Sequence, residues 1–159
     1  MRRTVVAALL LVFVPIIAQA MDGHFVQANM IKWEAGPPGL PPGGQAAVLL
    51  GNPGQAGPYV VRFKAPAGYK IPAHSHSTDE SITVLSGSFH LGHGPKLDTT
   101  KGEKLLAGGF VNVSKGMQHY VWFSEPSEIQ VHGVGPFDIT YVNPDDDPSK
   151  TTTSAPKPK

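Results

Sequence analysis

His74, His76 and Glu80 stand at spacings i, i+2 and i+6 in the stretch GYKIPAHSHSTDESITVLSG, residues 68–87. Side chains alternate between faces along a strand, so the two histidines share one face of any extended segment. Glu80 joins them if the chain stays extended through residues 77–79. Two neutral imidazoles and one hard carboxylate converging from so short a segment form a site for a divalent metal ion. The competing reading is a solvated, histidine-rich turn. On the metal reading, the rest of the chain must hold this segment and supply a further ligand.

The elements available for that task are short strands. With 159 residues the chain is long enough for one domain with a core and too short for two. Charged residues are sparse, while 18 Gly and 16 Pro punctuate the sequence, as many turns between short strands would require. β-forming, alternating runs are predicted at 29–35, 46–50, 59–64, 81–85, 88–91, 103–107, 110–113, 119–123, 128–134 and 137–142. No segment has a helical period of adequate length, and there is no internal repeat. The expected fold class is therefore all-β, a barrel or sandwich. Residues 36–44, GPPGLPPGG, cannot form a helix or an inner strand, because prolines lack the N–H donor. They are expected as a stiff surface loop or arm, with a polyproline recognition segment as the sharper alternative. From Asn143 onward the chain is polar and without core-forming residues, so 144–159 is expected as a disordered tail.

The first twenty residues read differently. Arg2 and Arg3 precede an apolar run over 5–18, and Ala18-Gln19-Ala20 fits the small-x-small rule for signal peptidase. Residues 1–20 are expected to be a signal peptide cleaved after Ala20, giving an exported protein, periplasmic or secreted. The alternative is an uncleaved N-terminal anchor. No second hydrophobic stretch follows, so no stable membrane insertion is expected after cleavage. Cysteine is absent, so disulfides cannot contribute; core packing has to stabilise the fold, and a bound metal could add to it. Without Arg2 and Arg3, the 13 basic residues fall to 11 against 12 acidic ones. That balance gives no electrostatic case for nucleic acid or for an anionic membrane.

The sequence resembles the cupin superfamily. The first cupin motif, G-x5-H-x-H-x3,4-E-x6-G, is filled by Gly68, His74, His76, Glu80 and Gly87. The second, G-x5-P-x-G-x2-H-x3-N, is matched in spacing by Gly108, Gly116 and His119, with Ser114 in place of Pro and Phe123 in place of Asn. The resemblance implies a single jelly-roll barrel, the double-stranded β-helix of a small monocupin, over residues 24–143. It further implies one divalent transition metal ion (Fe, Mn, Zn, Ni or Cu) held by His74, His76, Glu80 and His119. Gly68, Gly87 and Gly116 lie where strands must turn sharply, and positive φ costs glycine little.

Alternation extends the reading to a pocket. If His119 points into the barrel, Val121 and Phe123 share its face, as Ile82 and Val84 share that of Glu80. An apolar wall of this kind suits a small apolar or aromatic ligand better than a sugar phosphate. Plain core packing would produce the same pattern. His132, on the late strand with Gln130, is a candidate for a pocket-facing role, whereas His24, His90 and His93 are expected at the surface. Lys70, Asp79 and Lys115 are expected as solvated loop residues. Functionally, a metal-dependent enzyme of the dioxygenase or isomerase type, acting on a small organic molecule, is favoured. No catalytic residue beyond the ligands is identifiable. The alternative is a non-catalytic module that binds a metal or a small ligand. Small cupins commonly pair, so a homodimer is the resemblance-based expectation, with the Pro-rich loop as a candidate contact.

Overall fold

The computed structural model describes residues 23–151. The expected signal peptide over 1–20, its cleavage site and residues 152–159 of the expected tail lie outside the described residues. Among the described residues, eleven strands follow one another. They are β1 (Glu34–Ala35), β2 (Gln45–Leu50), β3 (Gly57–Ala65), β4 (Lys70–Ser75), β5 (Glu80–Ser86) and β6 (Ser88–His93). Then come β7 (Glu103–Leu106), β8 (Phe110–Val113), β9 (His119–Trp122), β10 (Ser127–Gly135) and β11 (Thr140–Tyr141). They build a jelly-roll barrel from two antiparallel sheets, one in the order β1-β2-β3-β10-β5-β8 and the other β11-β4-β9-β6-β7.

The alternating pattern places the core between the sheets. In β5, Glu80, Ile82 and Val84 are buried while Ser81 and Thr83 are half-exposed, so one face of the strand looks inward. Phe63, Tyr69, Phe89 and Phe123 fill one part of the interior, with ring centroids 5.6 to 6.1 Å apart along that chain of contacts. Each such ring contributes roughly 1.5–3 kcal/mol by leaving water. Gly68, Gly87 and Gly116 adopt φ of 79°, 72° and 75°, the left-handed turns their positions call for.

Two predicted strands are corrected. In place of a strand over 29–35 there is a 3-10 turn, Ala28–Met30, and only Glu34–Ala35 pairs with β2. Residues 137–142 are reduced to Thr140–Tyr141, because the backbone before them bonds elsewhere: the Phe137 N–H goes to the Pro53 carbonyl. The polar tail begins with a 3-10 turn, Pro144–Asp146, capped by the Asn143 side chain, and a helical turn, Pro148–Thr151.

The pairing of β4 with β9 is irregular. Its register runs Lys70↔Trp122 and Ile71↔Val121, then slips before His74↔His119. Three residues on β4 thus match two on β9, a β-bulge that turns both Ile71 and His74 inward.

Candidate metal centre

The bulge sets His74 directly opposite His119 on the neighbouring strand, with their ring centroids 4.1 Å apart. His76 follows just beyond the end of β4, its ring 5.0 Å from that of His74 and 5.2 Å from that of His119. All three imidazoles are buried, and one ring nitrogen of each lies within 4.8 Å of those of the other two. Among the described residues, no other group of three His, Asp or Glu side chains clusters in this way.

Each ring is held by its Nδ1. His74 donates to the Pro72 carbonyl at 2.6 Å, His76 to the Asp138 carbonyl at 2.6 Å and His119 to the Met117 carbonyl at 3.0 Å. A carbonyl only accepts, so Nδ1 carries the proton and Nε2 of the neutral ring keeps its lone pair. This second set of contacts is how ligating histidines are normally oriented. The Nε2 atoms of His76 and His119 are buried and find no hydrogen-bond partner among the described residues. Buried lone pairs left in this state are costly unless a cation takes them, so the donor set fits a metal ion.

Electrostatics favours the ligating form at two of the three positions. Burial, with the neighbouring His119, pushes the His74 imidazole down to about 3. Burial likewise lowers that of His119, against the opposing bond to Met117. Burial pulls His76 the same way, but the Glu80 carboxylate and the Asp138 carbonyl more than offset it, and its pKa is raised.

Glu80 reaches the centre by a route other than the expected one. The chain does not stay extended through residues 77–79. It bends at Ser77 and Thr78 and crosses from the sheet of β4 to that of β5. Glu80 therefore faces the histidines from the opposite sheet, nearly buried, with Oε2 3.5 Å from Nε2 of His76. It stands beside the cluster of three nitrogens rather than within it. Two acceptor atoms face each other across that gap, which is short of one positive charge.

Asp138 is the residue that sequence reasoning missed. Besides its carbonyl on His76, its carboxylate accepts from the Ser77 N–H at 2.9 Å and from the Ser77 hydroxyl at 2.6 Å. Burial raises the pKa of this carboxyl, but the two bonds from Ser77, with His76 nearby, hold it below the usual range. Asp79, expected as a solvated loop residue, accepts from the Lys115 N–H at 2.8 Å, and Gly116 N–H donates to the His76 carbonyl at 2.8 Å. The two motif segments are thereby tied together beside the histidines.

The centre opens into a cavity of about 550 Å³. His74, His76 and Glu80 reach its wall, and the remainder is largely apolar, with Phe63, Ile71, Ile82, Phe89, Val121 and Phe137 prominent. Phe137 also packs against the His76 ring, centroids 5.0 Å apart. Of the predicted pocket residues, Ile82 and Val121 line the cavity. Val84 and Phe123 have the right parity but lie two residues further along the chain, Val84 on β5 and Phe123 just past the end of β9. Each is 1% exposed and belongs to the packed core. His132 points the other way: it contacts Gln130 at 3.2 Å on the face that also carries Arg62 and Glu128, while Ile129 and Val131 turn toward the cavity. His24 bonds the Leu49 carbonyl, His90 stacks on Trp122, and His93 is exposed.

The Pro-rich segment is not a free arm. Pro37 and Leu40 line the cavity, and Tyr69 and Tyr141 fasten the loop through hydroxyl bonds to the Pro41 carbonyl at 2.5 Å and the Gly39 carbonyl at 2.8 Å. Tyr59 also lines the cavity. Burial first, then the negative charges of Glu80 and Asp138, push its phenol up to about 12, so it remains protonated at neutral pH.

The family profile described as the ChrR cupin-like domain matches residues 21–138. Among solved structures, the polyketide cyclase RemF from Streptomyces resistomycificus is 22% identical, with a TM-score of 0.63, over 82% of this chain and 92% of that one. A protein assigned as an acetylacetone dioxygenase from Methylibium petroleiphilum PM1 is 24% identical, with a TM-score of 0.62, over 81% and 87%. An acetylacetone dioxygenase from Acinetobacter johnsonii is 16% identical, with a TM-score of 0.59, over 85% and 87%. At these identities the likeness establishes the fold alone. No curated protein sequence matches the chain.

Proposed function

The chain belongs to the ChrR cupin-like domain family, and from that premise we propose that it is an exported, metal-dependent enzyme acting on a small apolar molecule that carries oxygen. The observation that carries this reading is the convergence of three imidazoles, each with its proton committed to a carbonyl, at the wall of a largely apolar cavity. His74, His76 and His119 would hold the ion, and Glu80 would supply the negative charge beside it. Imidazole accepts most first-row divalent ions, so the donor set does not choose among Fe, Mn, Zn, Ni and Cu. When bound, such an ion acts as a Lewis acid on an oxygen atom of the substrate.

The protein's own groups do the rest. The apolar lining of Ile71, Ile82, Val121 and Phe137 favours an aromatic or aliphatic body and excludes water, which strengthens every polar contact inside. Asp138 keeps the His76 ring aimed, and the Pro-rich loop closes one side of the cavity.

Metal content of the purified full chain, beside a His76→Ala variant, tests the reading. One equivalent in the parent and none in the variant is the expected result. Oxygen uptake with small diketones and aromatics follows if the metal is redox-active, and ring-closure or isomerisation assays if it is not. The names of the similar structures, acetylacetone dioxygenase and polyketide cyclase, motivate these choices of substrate. A folded parent that takes up no divalent metal would overturn the proposal. Export is checked by sequencing the N-terminus of the secreted protein, expected at Met21.

A further inference from the structure

Tyr59 is 3% exposed, and its hydroxyl finds no hydrogen-bond partner among the described residues. Buried phenols usually do find one. The contrast with its neighbours is direct, since Tyr69 and Tyr141 both donate to carbonyls of the Pro-rich loop. Tyr59 lies on β3 opposite Gly133 of β10, and Gly133 lies opposite Glu80 of β5. A Cβ on Gly133 would come within 2.4 Å of the Tyr59 hydroxyl oxygen and 2.6 Å of its Cζ. The absence of a side chain at 133 is therefore what lets the phenol lie across the middle strand, on the row that ends in Glu80. Phe137 packs edge-on against the Tyr59 ring at 6.2 Å and also contacts His76, so the ring has little freedom to turn away. A fixed residue with an unpartnered hydroxyl thus stands in the wall of a cavity that also carries His76 and Glu80 and is otherwise largely apolar.

We infer that the Tyr59 hydroxyl donates a hydrogen bond to an acceptor oxygen of the ligand, so that the cavity selects apolar molecules bearing a carbonyl oxygen over hydrocarbons of the same shape. The inference rests on the reading of this cavity as the ligand site. A site built to hydrogen-bond one group discriminates against analogues that lack it, because the buried donor is then left unpaired.

The test uses the full chain loaded with Zn²⁺ and a matched pair of probes, 4-phenylbutan-2-one and butylbenzene, each measured by competition against an apolar fluorophore. The parent is expected to prefer the ketone. Tyr59→Phe is expected to weaken ketone binding roughly tenfold without weakening butylbenzene binding, and to leave zinc stoichiometry and thermal midpoint unchanged. Ketone affinity equal to that of the parent would overturn the inference. So would a lower thermal midpoint, because the hydroxyl would then have a partner within the fold. A parent that binds both probes equally leaves the cavity reading standing and removes this inference alone. A zinc-loaded parent that binds neither probe removes both.

Discussion

His74 and His119 face each other across two antiparallel strands, and each returns its Nδ1 proton to the carbonyl two residues before it, Pro72 and Met117. The same local device on paired strands leaves two Nε2 lone pairs side by side. Neither ring depends on the other for its orientation. His74→Ala and His119→Ala are each expected to abolish stoichiometric metal binding while leaving a folded barrel. Metal analysis paired with near-ultraviolet circular dichroism checks both halves of that statement.

Removing the metal should cost stability. A ligand that binds only the folded state stabilises it by about 2.7 kcal/mol at a hundredfold excess over its Kd. For a domain of this size that corresponds to roughly 5–10 °C in Tm. Chelation followed by a thermal scan is expected to show such a drop, restored by adding back the ion. His119→Ala should melt where the chelated parent does, less whatever the lost side chain costs in packing, and should not respond to the chelator.

Glu80 differs from the histidines because it approaches from the other sheet and stands next to the nitrogen cluster, 3.5 Å from His76. Glu80→Gln keeps the shape and removes the charge. It is expected to weaken metal affinity about 10–100-fold without removing the site, in the range found when groups supporting a ligand set are changed. Competition with a chromophoric chelator measures this. Complete loss of metal would instead make Glu80 an equal partner of the three imidazoles.

What was legible in the sequence was local. The spacing of His74, His76 and Glu80 and the glycines that turn the strands identified the barrel and its centre, because each depends on a few neighbouring residues. Alternation puts Ile82, Val84, Val121 and Phe123 on inward faces but does not say how deep each inward step lies, so it cannot separate Ile82 and Val121, which line the cavity, from Val84 and Phe123, which lie in the core. Strand parity also gave no orientation for His132, which depends on its neighbours Ile129 and Val131 facing the cavity. The contacts that finish the site join residues far apart in the chain. Asp138 meets His76 across 62 positions and Tyr141 meets Gly39 across 102, and no periodicity records such pairings. Residues 137–142 illustrate the cost: their β-forming composition predicts a strand, yet the backbone at Phe137 and Asp138 is committed to Pro53 and His76.

Asp138 offers a test of that long-range support. Its carbonyl would survive substitution, but the carboxylate that grips Ser77 would not. Asp138→Ala is expected to loosen the 136–139 segment and thereby His76, lowering metal affinity about tenfold with all three imidazoles present. Ser77→Ala removes only one of the two bonds and should have a smaller effect. Metal titration of both variants beside the parent ranks them.

Tyr59 occupies the space that a side chain at Gly133 would need. Gly133→Ala adds one methyl group against a ring that Phe137 restrains, and overpacking of this kind costs about 1–3 kcal/mol. The cost should belong to the pair. In a Tyr59→Ala background the ring is gone, so the same glycine substitution should become nearly neutral. Urea unfolding of the four proteins in the cycle gives the coupling directly. A large penalty that persists without the Tyr59 ring would mean that Gly133 is required for its backbone, and that the phenol's position follows from something else.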